Sequence, residues 1–305
     1  MLLVANPFVG IVHMFEHPFL RYAFLAGTVI ALASGLVGYF VVLRGQVFTG
    51  DALSHVAFTG ALGALAIGID LLLGLYLACI VIALAMAALG ARGRADDTVI
   101  GSVFAWILGL GALFLTIYTT SASGTDATSG VDVLFGSIFG LSSSQAITDS
   151  LVAFGVAVAI VLIGRPLLFA SIDDAVAGAR RIPVRALGFV FLGLVGVTTA
   201  AATQAIGALL LLGLLAAPAG AAQLLTVRPF RAMWLSAGLA IVSMWAGLSM
   251  AYAAPQLPPS FGIIAVATGI YVLAFLVQAA KARVGQKARP DQCSKHVAEV
   301  DGGGY

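Results

Sequence analysis

Residues 71–90 read LLLGLYLACIVIALAMAALG, with no charged residue and no proline. At 1.5 Å per residue, a helix of this length reaches about 30 Å, the thickness of a bilayer's hydrocarbon core. The apolar positions are continuous and do not alternate with period two, so the run reads as a helix and not as a barrel strand. Eight further runs surround it: Leu20–Leu43, Gln46–Gly68, Thr98–Thr119, Ala146–Gly164, Ala186–Gln204, Ala205–Thr226, Ala232–Ala254 and Pro259–Ala280. Only Gln204 separates the sixth of the nine from the seventh. The sequence therefore predicts an all-α polytopic membrane protein with about nine transmembrane helices.

Composition supports this reading. Of 305 residues, 61% are hydrophobic and 9% charged, and the mean hydropathy is +1.09. Soluble domains carry roughly 25% charged residues, which they need to cover their surface. A cytosolic enzyme, a nucleic-acid binder and a secreted disulfide scaffold are excluded as first readings. Cys79 lies in an apolar run and Cys293 in a polar tail, so neither a disulfide nor a cysteine metal motif is indicated. The lysines are Lys281, Lys287 and Lys295, and no Gly-rich loop ends in Lys-Ser or Lys-Thr. The chain thus lacks a P-loop with which to cradle ATP. The 36 glycines suit closely packed helices or unwound hinges in a membrane.

The placement of charge sets an expected orientation. With nine spans and the C-terminus inside, one side collects Arg44, Arg92, Arg94, Arg165, Arg180, Arg181, Arg185, Arg228, Arg231 and the basic residues from Lys281 to Lys295. Only Arg21 falls on the other side, together with Glu16, Asp70, Asp126, Asp132 and Asp149. The positive-inside rule then puts the N-terminus outside and the C-terminus in the cytoplasm of a bacterial plasma (inner) membrane. Residues 1–19 read as an external interfacial segment, 20–280 as the membrane domain, and 281–305 as a disordered cytoplasmic tail. Ser121–Gly130 reads as an outer loop. Val131–Leu141 is apolar but too short to span, and reads as re-entrant or as a surface helix.

Chemistry concentrates at Gly50-Asp-Ala-Leu-Ser-His55. Asp51 and His55 stand four apart and share one helical face. A carboxylate inside a membrane costs several kcal/mol unless it finds a partner or lines a wet cavity. Carboxylate plus neutral imidazole suits zinc, manganese or iron(II). The alternative is an Asp–His hydrogen bond that merely pins two helices. Zinc prefers four ligands, and a two-fold dimer would bring a second Asp51 and His55 to the axis.

Other residues carry weaker signals. His13, Glu16 and His17 match the pattern H-x-x-E-H, but Pro18 biases His17 away from helical angles. They read as an interfacial or outer metal-collecting group; a membrane protease would need a third ligand. Between the fifth and sixth spans lies a short cytoplasmic helix candidate containing Ser171, Ile172, Asp173, Asp174, Ala175, Val176, Gly178, Arg180 and Arg181. Ser171 and Asp173 suit its N-terminus, and the arginines its C-terminus. It is either a docking element or a solvated connector. Asp96 and Asp97 read as the capped start of the fourth span. Pro218 would kink the seventh, as a gate or for packing.

These motifs together resemble the permease subunit of bacterial ABC importers for zinc, manganese and iron. The resemblance covers roughly residues 20–280. It rests first on Phe40-Val-Val-Leu-Arg44 followed by Phe48-Thr-Gly-Asp-Ala-Leu-Ser-His-Val-Ala-Phe-Thr-Gly60. Asp97-Thr-Val-Ile-Gly101, Asp132-Val-Leu-Phe-Gly136 and the stretch from Ile206 to Leu225 follow in the expected order. The chain departs from the family at Phe58-Thr59-Gly60, where members commonly have a proline two residues before the glycine. The resemblance implies an ABC importer permease fold and a homodimer in the lipid membrane. It also implies cytoplasmic ATPase subunits, an external metal-binding protein and no nucleic acid. No cofactor is bound permanently; a divalent ion passes as substrate by alternating access, with zinc placed ahead of manganese and iron. Asp51 and His55 would line its path, and the 171–183 segment would be the ATPase-coupling helix. A cation- or proton-coupled secondary transporter and a siderophore- or cobalamin-type ABC permease are the rival readings.

Overall fold

Helix boundaries fall where local chemistry sets them. A computed structural model describes residues 18–90, 96–121, 134–136, 138–180, 183–254 and 256–287. Its helices are α1 (Pro18–Leu43), α2 (Val47–Ala66), α3 (Leu71–Leu89), α4 (Asp97–Ser121), α5 (Ser143–Ile172), α6 (Asp174–Ala179), α7 (Val184–Ile206), α8 (Leu211–Leu225), α9 (Pro229–Ala253) and α10 (Pro259–Lys287). A 3-10 turn, Ile138–Gly140, precedes α5. No strand occurs among the described residues.

Asp70 caps α3, its Oδ1 accepting from the Leu72 and Leu73 amides at 2.9 and 3.2 Å. Ser142 and Gln145 form a reciprocal capping box at the start of α5. Pro229 opens α9 at a position where its missing N–H costs no hydrogen bond. Pro166 sits inside α5 without ending it, and the helix runs on to Ile172.

α1 forms the centre, packed on α5, α7, α8 and α9. α7 continues the packing to α2 and α3, while α10 closes the far side against α8 and α9. α4 stands at the rim, held chiefly by α2. Burial follows this order: 72% of the α1 span is buried within the chain, but only 17% of the α4 span. Phe40, near the end of α1, and Phe191, near the start of α7, meet edge-on, both fully buried. Outward-facing residues such as Leu73, Trp106, Leu151 and Leu162 are apolar, as a lipid-facing surface requires.

Seven of the described helices are long and apolar enough to cross a membrane: α1, α3, α4, α5, α7, α9 and α10. The other two expected spans correspond to α2, which carries Asp51 and His55, and to α8, which has only 15 residues. Several boundaries differ from the sequence expectation: α1 already begins at Pro18, and α5 runs past Gly164 to Ile172, so Ser171 and Ile172 belong to it and not to the short helix α6. The α7–α8 break falls at Gly207 and not at Gln204, because Gly207 adopts φ 98°, which few other residues tolerate. A Cβ there would strike the Leu134–Gly136 backbone, and the Leu209 amide donates to the Leu134 carbonyl at 3.3 Å. The loop before α5 thereby crosses the α7–α8 corner at backbone contact. α10 continues past Ala280 into the stretch read as a disordered tail and is helical to Lys287.

Candidate metal pathway

The chain leaves α1 at Arg44, turns through Gly45 at φ 67°, and starts α2 at Val47. α2 then runs between α3, α4 and α7. Gly60 and Gly74 allow α2 and α3 to touch, since a Cβ on Gly60 would lie 2.6 Å from the Gly74 carbonyl oxygen. This close contact fixes which face of α2 turns away from the core. Ala52, Leu53, Ser54, Val56 and Ala57 are buried, whereas Asp51 and His55 are only half-buried and share the remaining face.

That face looks at α4. The His55 ring lies edge-on to Phe104, with centroids 5.1 Å apart. Asp51 lines a cavity of about 360 Å³ together with Phe48 and Ala52 of α2 and Asp97, Ile100, Gly101 and Phe104 of α4. Among the described residues, neither the Asp51 carboxylate nor the His55 imidazole makes a hydrogen bond or an ion pair. The alternative in which the two merely bond to pin helices is therefore not what the structure contains. Both groups keep their lone pairs free. Among the described residues, no three His, Cys, Asp or Glu side chains converge on a metal-sized point.

Asp97 adds to the site as read from sequence. It occupies the first turn of α4, as a helix-opening acid should, and it also faces the cavity that Asp51 lines. An acid at a helix start has a sufficient local explanation, so only the α2–α4 contact reveals this second aspect.

The 171–183 segment contains α6, which packs on α5 and α7. Asp173 caps it, accepting from the Val176 amide at 3.0 Å. Ser171 takes a different role from the expected cap. Its hydroxyl donates to the Leu167 carbonyl at 2.6 Å and accepts from Arg44 Nε at 2.9 Å. Ile172 and Val176 expose apolar side chains, and Gly178 and Arg180 are also exposed. Asp174 and Ala175 belong to the helix, while Arg181 lies outside the described residues, as do His13, Glu16, His17 and Asp132. Pro218 is buried inside α8, which continues on both sides of it.

Asp149 has a surrounding that charge placement does not reveal. It was expected among the outer acids, yet its side chain is only 1% exposed, inside the bundle. Tyr76 of α3 donates its hydroxyl to Asp149 Oδ1 at 2.8 Å. Gln204 of α7, in the amide orientation that satisfies both groups, donates to Oδ2 at 2.8 Å and Oδ1 at 3.2 Å. A buried acid is thus bonded across three helices.

A membrane-type helical bundle with an open Asp–His pair defines a class, that of multi-pass proteins with a polar site between helices. Residues 16–278 match the ABC 3 transport family, and the chain belongs to that family. It is 30% identical over 268 residues to the manganese transport system membrane protein MntC of Halalkalibacterium halodurans, covering 86% of this chain and 88% of that one. It is 25% identical over 238 residues to a Haemophilus influenzae protein named for iron transport, covering 78% of this chain and 86% of that one. Among solved structures it resembles PsaBC from Streptococcus pneumoniae in complex with Fab, with a TM-score of 0.75 and 23% identity over 87% of this chain and 94% of that one. The structural likeness speaks for the fold. The chain is a multi-pass membrane protein of the ABC permease type, a transport subunit and not an enzyme.

Proposed function

We propose that this chain is the permease subunit of an ATP-driven importer of divalent transition-metal ions, with manganese as the first candidate, iron(II) next and zinc third. The observation that carries the reading is the unpartnered Asp51–His55 pair on one face of α2, beside a cavity. The relatives' names move the expected cargo from zinc to manganese. Oxygen and imidazole donors suit manganese(II) and iron(II), and the set contains no thiolate to favour softer ions.

In this reading α2 and α8 also cross, giving nine spans with the N-terminus outside, in a bacterial plasma membrane. Helices around α2 and α8 relieve them of full lipid contact. Two copies of the chain pair about a two-fold axis, so that two Asp51 and two His55 complete the shell that one chain leaves open. An external binding protein delivers the ion, and cytoplasmic ATPase subunits dock on α6. The exposed Ile172 and Val176 give α6 an apolar surface to bury against such a partner. The ion exchanges part of its water for these ligands and leaves past Asp97. Pro218 serves packing, because α8 passes through it without a break. Residues 1–19 remain assigned to the outer interface, with His13, Glu16 and His17 as a collecting group.

The test is uptake of manganese, iron(II) and zinc, each alone and in competition, by cells carrying the wild type, D51A or H55A. Each variant should lose uptake by about a hundredfold, the scale of losing one ligand to the ion worth a few kcal/mol, while reaching the membrane at wild-type abundance. Manganese should compete best. Uptake that continues when the ATPase partner is removed would favour the cation-coupled rival instead.

A further inference from the structure

We infer that Arg44 is a positioning residue that ties movement of α6 to the metal-bearing helix α2; this rests on the reading of the chain as an ATPase-driven permease. α6 itself packs on α5 and α7, and these neighbours offer a route by which its displacement can reach α2. Arg44 touches both of them. Its Nε donates to Ser171, in the last turn of α5 just before α6. Its guanidinium also stacks on the Phe191 ring in α7, with Cζ 4.8 Å from the centroid. Phe191 follows α6 by one connection and about two turns of helix, at 1.5 Å per residue. The same side chain is thus gripped from the segment entering α6 and from the segment leaving it.

Arg44 is also bonded into the corner that launches α2. Its amide donates to the Phe40 carbonyl at 2.9 Å, and the Gln46 amide donates to Val41 at 2.9 Å. Phe40 packs on Phe191, which holds this corner against α7 a second time. From Val47, just beyond Gly45 and Gln46, the chain is helical without interruption through Asp51 and His55. A rigid helix transmits a rotation of its first turn to residues one and two turns on. Arginine suits the position because one planar group can donate a hydrogen bond and stack on an aromatic face together.

The test uses the complete complex of this chain with its ATPase and binding-protein partners in proteoliposomes. It reads manganese ions taken up per ATP hydrolysed. The wild-type complex must import manganese with ATP; a complex that hydrolyses ATP without import defeats the functional reading itself. Given import, R44A should hydrolyse ATP but lower the ratio about tenfold, within the usual range of coupling between distant sites. R44K, which keeps a donor but loses the planar stack, should recover part of the ratio. A wild-type ratio in R44A overturns the inference, as does a parallel loss of hydrolysis and uptake at constant ratio. For a variant complex that fails to assemble, S171A and F191L remove one contact each. Both should lower the ratio, and a wild-type ratio in both overturns the inference.

Discussion

Asp51 and His55 are legible in the sequence because a four-residue spacing puts two side chains on one face of any helix. A carboxylate in an otherwise apolar run needs an explanation, and that draws attention to the pair. Asp149 shows what charge counting misses. It tells the side of a membrane on which an acid lies, but not whether the helix turns that acid inward. Inside the bundle, Tyr76 and Gln204 satisfy it. We expect Y76F to lower stability by roughly 1–3 kcal/mol, because a buried carboxyl loses a donor that nothing replaces. Thermal unfolding in detergent checks this. Y76L should cost more than Y76F, since it also leaves a cavity; equal stability of Y76F and wild type would mean that the bond contributes nothing.

At the scale of elements, apolar run length locates the helices well but their ends poorly. Leu71–Leu89 agrees with its expected bounds because Asp70 and Gly90 mark both ends chemically. Between α7 and α8 the sequence stays apolar, and the break comes from Gly207 and from its backbone contact with Leu134–Gly136. No single-segment pattern contains that contact, since its two halves lie far apart in the chain. G207A should therefore destabilise the protein by about 1–3 kcal/mol or more, from a left-handed φ together with a collision that no rotamer can relieve. G101A, on α4, meets open space in the single chain and has ordinary helical geometry. Comparing the folded yields of the two variants by size-exclusion chromatography tests this. Equal yields would show that the loop crossing is not required. The same limit hides Asp97: its place at a helix start is readable, but its place opposite Asp51 depends on how α4 leans on α2.

For the whole molecule, scarcity of charge has a direct physical meaning. Most charges flank the spans; of the acids within the helices, Asp149 is hydrogen-bonded inside the bundle and Asp51 lines a cavity. His55 stands one turn beyond Asp51 on the same face, with its ring against Phe104. Among the described residues no three metal-ligating side chains converge, so the proposed function needs a second copy of the pair to complete a ligand shell. The proposed account therefore separates assembly from transport: removing the pair should leave the folded, paired permease intact and stop the ion. The most direct measurement is ATP-dependent manganese uptake by the Asp51→Ala, His55→Ala double variant, with its membrane abundance and inter-subunit cross-linking measured in the same preparation. The account predicts wild-type abundance and cross-linking with uptake at background; uptake at the wild-type rate would contradict it.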